Sequence, residues 1–243
     1  MNTTISVITR TSRIQFLNET IESVVNLINT PHQITWEYII VNDGNPDVSK
    51  YLNAQSFPEN FSFIDLKENV GRKKAFNLGV AKAKYDWIFV LDDDDIILQR
   101  TLANFAVAIK SNPKTNWFVA DFLRVDAKLS YLSGEDYYGW KFKDVSDLLK
   151  SVLTGDHFIQ FNTLIKKELI ARVGGMDENF VGPEDIDMYL SFLEQEEMPI
   201  YLHFYSHLHR MHETNRSQKM TKSLYLNTHL IALKEKYKHL LAK

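Results

Sequence analysis

The chain is 243 residues long, 44% hydrophobic and 24% charged, with a net charge of −3. That length allows one large α/β domain, or one domain with a small appendage, and the composition excludes disorder as the dominant state. The charge balance excludes a general polyanion binder, so nucleic acid is not expected as a partner. With no cysteine, disulfides, thiolate catalysis and cysteine zinc sites are excluded as well.

In chain order, segments of two hydrophobic periods alternate. Residues 5–9 form a short β-branched run, after which Leu17, Ile21, Val24, Val25 and Ile28 recur at helical spacing. Residues 38–41 read as a buried strand stopping at Asn42, Asp43 and Gly44, a turn signal. Residues 61–66 predict a third strand, and residues 72–84 a short helix with Ala75, Gly79 and Ala83 available for close packing. Residues 87–91 form a fully apolar fourth strand that runs straight into Asp92, Asp93, Asp94 and Asp95. A helix over 102–109 ends at Asn112-Pro113, and a strand follows over 117–125. This alternation predicts a mostly parallel sheet covered by helices over residues 1–125. Ligands of such sheets sit beyond the carboxyl ends of the strands, which directs attention to residues 9–13, 42–44 and 92–95.

The second half is less regular. Residues 134–143 form an aromatic loop (Tyr137, Tyr138, Trp140, Phe142), 186–193 read as helix and 200–205 as strand. The last stretch places Leu226, Leu230, Leu233, Tyr237, Leu240 and Leu241 on one helical face. Between Lys219 and Lys243 lie six lysines and one acidic residue. A basic amphipathic helix of this kind either rests on an anionic membrane surface or closes the domain with its apolar face.

Four consecutive carboxylates repel one another by about 1 kcal/mol per close pair in water, and by more in a dry site. A divalent cation relieves that repulsion, and hard oxygen ligands suit Mg²⁺ or Mn²⁺. An extended backbone would send Asp92 and Asp94 to one side and Asp93 and Asp95 to the other. Asp43 can accept the imide N–H of a uracil ring, although alone it reads first as a turn aspartate. Arg72, Lys73 and Lys74 open a helix behind Gly71, where cations beside backbone N–H groups suit a diphosphate; a solvated helix start accounts for them equally well. Glu184 and Asp185 open another helix, as a general base or as first-turn acids favoured by the helix dipole. His207, His209 and His212 stand near Arg210, but no cysteine or close Glu completes a zinc signature; one of them is a candidate additional Mn²⁺ ligand.

These motifs together resemble family-two inverting glycosyltransferases of the GT-A fold, of the type that builds bacterial cell-surface polysaccharide. The resemblance spans residues 4–215 and rests on order. An Ile-Ser-Val-Ile strand and Thr-Arg loop are followed by Val-Asn-Asp-Gly, Glu-Asn-Val-Gly, Ala-Phe-Asn-Leu-Gly and Val-Leu-Asp-Asp-Asp-Asp. Val-Gly-Gly-Met-Asp-Glu, Pro-Glu-Asp-Ile-Asp-Met and Arg-Met-His-Glu complete the series.

The resemblance implies a mostly parallel nucleotide-binding sheet flanked by helices, a mixed acceptor-side region and a C-terminal helix. It divides the chain into a transferase domain over 1–215, with a donor half to about 125, and a helical extension over 216–243. It implies a UDP-sugar donor, held by Thr9, Arg13, Asp43, Gly71, Arg72, Lys73, Asp92 and Asp93. Asp92 faces the ribose or sugar, Asp94 binds Mn²⁺ or Mg²⁺ with His212, and Asp185 is the catalytic base. Glu184, beside it, supports the base or contacts the acceptor. Tyr138, Trp140 and His157 are the further candidates for a glycan or lipid-linked acceptor. The implied location is cytoplasmic, with possible peripheral contact at the inner face of the plasma membrane. The alternatives are a GDP-sugar donor, or a non-catalytic module that binds a nucleotide sugar or glycan. Three departures stand out. Thr9-Arg10-Thr11-Ser12 replaces the usual Pro-Thr-Tyr-Asn and lacks its aromatic ring. Asn42 replaces the first Asp of Asp-Asp-Gly. Phe76 replaces an Arg, whose charge Arg72, Lys73 or Lys74 would then supply.

Overall fold

The computed structural model describes residues 3–28, 34–133, 142–154, 161–213, 215 and 230–241. Tyr138, Trp140, His157 and the lysines at 219, 222 and 243 therefore lie outside the described residues.

Four strands form the donor side: β1 (Thr3–Thr11), β2 (Ile34–Asn42), β3 (Phe61–Asp65) and β4 (Trp87–Val90). They are mutually parallel in the order β3-β2-β1-β4. β1, β2 and β4 are buried on both faces over most of their length, which explains the near-continuous apolar runs. Ile8, Ile39, Val41, Ile88 and Val90 face one core layer. Ile5, Val7, Tyr38, Ile40 and Phe89 face the other, as the two-residue period requires. Thr11 pairs with Asn42, so β1 and β2 end level, whereas β4 ends three residues earlier, at Val90 opposite Ile8.

The rest of the sheet is mixed, as the resemblance implies for the second half. β5 (Ile96–Ile97), β6 (Trp117–Val125), β7 (Leu164–Lys166) and β8 (Ile200–Arg210) extend it to β3-β2-β1-β4-β7-β6-β8-β5. β7 is antiparallel to both β4 and β6, and β5 is antiparallel to β8. Strands of two and three residues are too short to print a period, so the sequence hides both. β8 also runs beyond the expected residue 205. Its polar end reads as loop, yet His207 and Arg210 are fully buried there.

Helices α1 (Leu17–Val25), α2 (Pro46–Asn53) and α4 (Thr101–Ser111) carry residues of one core layer. The other layer takes α3 (Arg72–Lys82), α5 (Val145–Thr154), α6 (Lys167–Arg172) and α7 (Glu184–Glu194). Gly79 lets α3 lie directly on the sheet, since a Cβ there would stand 2.8 Å from Ile8 Cγ2 and 3.2 Å from Val41 Cγ2. That close approach fixes the N-terminus of α3, and with it Arg72.

The expected closing helix appears in its described part as α8 (Leu230–Lys236) and α9 (Lys238–Leu241). Leu230, Leu233 and Tyr237 are buried in the same core as α3 and α7. Lys236 pairs with Asp177 and Asp187 at 2.8 Å, and the Tyr237 hydroxyl donates to Asp187. This apolar face is thus committed to the protein interior. Among the described residues, no helix is long and apolar enough to cross a membrane.

Candidate functional site

The aspartate run leaves β4 as a turn, with the Asp95 N–H donating to the Asp92 carbonyl at 3.3 Å. The two-sided alternation expected of an extended run therefore fails, and the four carboxylates go to three places. Asn162 clamps the turn: its Oδ1 accepts from Asp92 N–H at 3.0 Å, and its Nδ2 donates to Asp95 at 2.5 Å. From the far side, Arg210 Nε donates to the Asp94 carbonyl at 2.8 Å. Its other nitrogens reach Ala127 and Glu19. Neither Asn162 nor Arg210 was singled out by its sequence pattern as a site residue, although Arg210 lies in the Arg-Met-His-Glu motif.

The first place is a mixed-charge cluster at the N-termini of α3 and α7. Asp92 lies 3.9 Å from Arg10 Nη2. Glu184 Oε1 takes Arg10 Nη1 at 3.2 Å and Arg72 Nε at 2.9 Å. Burial pushes the Asp92 carboxyl up to about 7, against the pull of Arg10 and Arg72. Asp185 is also raised, first by burial and then by Glu184. Its Oδ1 accepts from Ile186 N–H at 2.9 Å in the first turn of α7. Glu184 is buried and bonded to both arginines. Arg10 was given no role because the sequence reads it as part of the loop after a strand over 5–9, whereas β1 continues to Thr11. Arg10 is buried over the Phe161 ring, with its Cζ 4.6 Å from the ring centroid.

The second place gathers Asp93, Asp94, Arg13 and His212. Arg13 Nη2 bridges Asp93 at 2.6 Å and Asp94 at 2.9 Å. Against the pull of burial, Asp93 and then Asp94 hold this guanidinium firmly charged. Asp94 Oδ2 also lies 3.0 Å from His212 Nε2. The Asp94 carboxyl is raised by burial, then by Asp95 and Asp93. A buried carboxylate crowded by its neighbours, with an imidazole nitrogen beside it, fits the donor set of a divalent cation. Loading an ion there means that Arg13 gives way.

The third place holds Asp95, His207 and His209, which each bring one ligand atom within 4.8 Å of the others.

The remaining expected donor residues have differing surroundings. Thr9 is fully buried and accepts from the Tyr38 hydroxyl at 2.9 Å. Thr11, two residues on, donates to Asp93 at 2.6 Å. Asp43 accepts from the Val70 and Gly71 amides at 2.7 and 3.1 Å, and so shapes the loop that leads into α3. Gly44 is required beside it, because its φ is +76° and a Cβ would meet Asn69 N at 2.3 Å. Asn42 donates to Asp65 at 2.8 Å, a bond that an aspartate there could not make. Lys73 turns away from the strand ends to bond the Phe180 carbonyl.

The family model "Glycosyl transferase family 2" matches residues 4–174. The chain belongs to glycosyl transferase family 2. Among curated relatives, it is 35% identical over 98 residues to a poly-β-1,6-N-acetyl-D-glucosamine synthase of Staphylococcus aureus. That match covers 40% of this chain and 24% of the relative. It is 26% identical over 168 residues to an uncharacterized glycosyltransferase of Haemophilus influenzae, covering 68% of this chain and 55% of the relative. The chain thus spans about a quarter to about half of these curated relatives. Among solved structures, S. aureus TarS 1–349 in complex with UDP-GlcNAc superposes with a TM-score of 0.65 at 17% identity, covering 93% of this chain and 64% of that one. The mannosyltransferase PcManGT of Pyrobaculum calidifontis, in complex with GDP-Man and Mn²⁺, gives 0.61 at 15% identity, covering 97% and 70%. At such identities the likeness is one of fold, and that fold is GT-A.

Proposed function

We propose that this chain is an inverting glycosyltransferase that moves a sugar from a UDP-sugar to a hydroxyl of a glycan or lipid-linked glycan, in the synthesis of bacterial surface polysaccharide. The observation that carries the reading is the clustering of Asp92, Glu184 and Asp185 around Arg10 and Arg72, just past the end of β4. Asp185 accepts the proton of the acceptor hydroxyl as that oxygen attacks the anomeric carbon, and the nucleoside diphosphate departs from the opposite face. Burial and Glu184 raise Asp185 toward the pH at which a base both stays ionised and takes a proton readily. Glu184, pinned by two arginines, orients this helix turn. Arg10 and Arg72 present positive charge where the leaving group gains negative charge. Asp94 and His212 would hold Mn²⁺ or Mg²⁺, which supplies charge neutralisation to the diphosphate. Asp43 retains lone pairs for a base N–H beside the two amides that it already accepts.

A UDP-sugar is favoured by the UDP-GlcNAc and UDP complexes of TarS and by the N-acetylglucosamine polymer made by the S. aureus relative. The GDP-Man complex of PcManGT supports a GDP-sugar as the second reading. Calorimetric titration with UDP, GDP and their sugar conjugates, with Mn²⁺ and with chelator, separates the two. Metal-dependent UDP binding that is lost in Asp94→Ala is the expected result. Preference for GDP would move the donor assignment, and donor binding without transfer or hydrolysis would favour a non-catalytic module.

A further inference from the structure

Asp95, His207 and His209 have no part in the reaction just described. We propose that they form a second metal site, a zinc site that fixes the end of the aspartate turn to β8. The sheet itself brings them together. β5 pairs antiparallel with β8, with Ile97 opposite His207 and Ile96 opposite Leu208. Asp95, one residue ahead of β5, therefore falls opposite His209. His207 and His209 are two apart in β8 and share one face. One ligand atom from each of the three lies within 4.8 Å of the others. Asp95 Oδ2 and His209 Nδ1 are 3.3 Å apart, about the edge of a tetrahedron whose metal bonds are about 2.0–2.1 Å.

The second observation is His207 itself. Ser206 Oγ lies 2.8 Å from His207 Nδ1 and 3.2 Å from the Asp121 carbonyl, so Nδ1 is the anchored nitrogen of the ring. The other ring nitrogen, Nε2, is buried in a fully buried side chain and makes no hydrogen bond among the described residues. A buried polar atom left without a partner is costly, and native proteins keep few of them. A histidine whose one nitrogen is anchored by a hydrogen bond and whose other nitrogen is bare has the arrangement of a metal ligand with its outer-shell support.

Two imidazoles and one carboxylate suit Zn²⁺ better than Mg²⁺ or Mn²⁺, and leave one position for water. The Arg210 amide already donates to Asp95 Oδ1 at 2.9 Å. A metal on Asp95 thus joins a built support and braces Asp94 next to it.

The test uses the full chain stripped with chelator and titrated with Co²⁺, then Zn²⁺, with no nucleotide present. One equivalent of Co²⁺ with the intense visible absorption of a tetrahedral ion, displaced by Zn²⁺, is expected in both wild type and Asp94→Ala. In His207→Gln, and in the more exposed position as His209→Asn, that absorption should weaken by at least about 100-fold in affinity. X-ray absorption of the zinc-loaded wild type should count two imidazole ligands, which decides the matter even if both variants fail to fold. Absence of tetrahedral cobalt, a single imidazole, or a signal lost in Asp94→Ala but kept in His207→Gln would overturn the site. None of these readouts depends on sugar transfer, so the zinc site and the proposed reaction stand or fall separately.

Discussion

Replacing Asp92 with Asn should stabilise the fold while it disables the site. In the folded protein the Asp92 carboxyl is raised from 3.8 to about 7, chiefly by burial. A raised acid contributes its stability below its unfolded value and loses it as pH climbs through the folded one. Ionised Asp92 therefore burdens the native state above about pH 7. At about 1.4 kcal/mol for each tenfold change, the full displacement is worth about 4 kcal/mol. Linkage puts roughly 1–2 kcal/mol of this already in place at pH 5, so about 2–3 kcal/mol develops between pH 5 and pH 8. Asp92→Asn removes the charge and keeps the shape. In a chain of this size 1 kcal/mol moves the melting temperature by about 2–4 °C. The variant should thus gain several degrees over wild type at pH 8 and distinctly less at pH 5. Thermal and urea unfolding at both pH values, in chelator and without nucleotide, is the assay. An equal difference at both pH values, or a less stable variant at pH 8, would refute the reasoning, because burial would not then be what raises Asp92. Donor binding should weaken in the same variant, as expected where a site holds charge at the expense of stability.

Asp185→Asn should lower turnover by roughly 100-fold or more with donor affinity nearly intact. In the wild type, the acid limb of the pH–rate profile should lie above the usual aspartate range, since the base must be ionised and its carboxyl is raised; a limb at ordinary values would count against Asp185. Arg10→Gln removes one of the arginines on Glu184 and a charge facing Asp92, so kcat/KM should fall by about 100-fold; a change within twofold would remove Arg10 from the site. Gly44→Ala forces a Cβ to within 2.3 Å of Asn69 N at a positive φ, and should cost about 1–3 kcal/mol in urea unfolding.

The donor half was legible because its elements are long enough to print their period. β1, β2 and β4 alternate between two apolar layers, and each ends at a turn or an acidic run. The acceptor half was legible only in pieces. β7 and α6 together span nine consecutive residues, and no period survives in segments that short. At the site, the clustering of carboxylates shows in the sequence, but not where each one points. A turn at Asp92 scatters the run, and that turn is imposed by Asn162 and Arg210 from elsewhere in the chain. The burial of Thr9 was hidden for the opposite reason. A threonine near a strand end reads as exposed, whereas here the strand continues to Thr11 and Thr9 lies under Tyr38.

One departure from the family pattern finds its compensation in the fold. Phe76 stands where relatives carry an arginine, and the neighbouring cations of α3 were the expected replacements. Of these, only Arg72 serves the cluster, while Lys73 leaves for Phe180. The other charge enters from β1. Phe76 packs on Phe161 with ring centroids 5.5 Å apart, and Phe161 in turn carries the Arg10 guanidinium on its face. The aromatic at 76 thus builds the shelf on which Arg10 lies. A cation on an aromatic face is held without a second carboxylate, which leaves Arg10 Nε and Nη2 without hydrogen-bond partners among the described residues. Two buried donors kept bare beside Asp92 are costly in the resting protein. They are groups that a phosphate oxygen would satisfy, so Phe76, Phe161 and Arg10 form one packed unit that the proposed donor site would use.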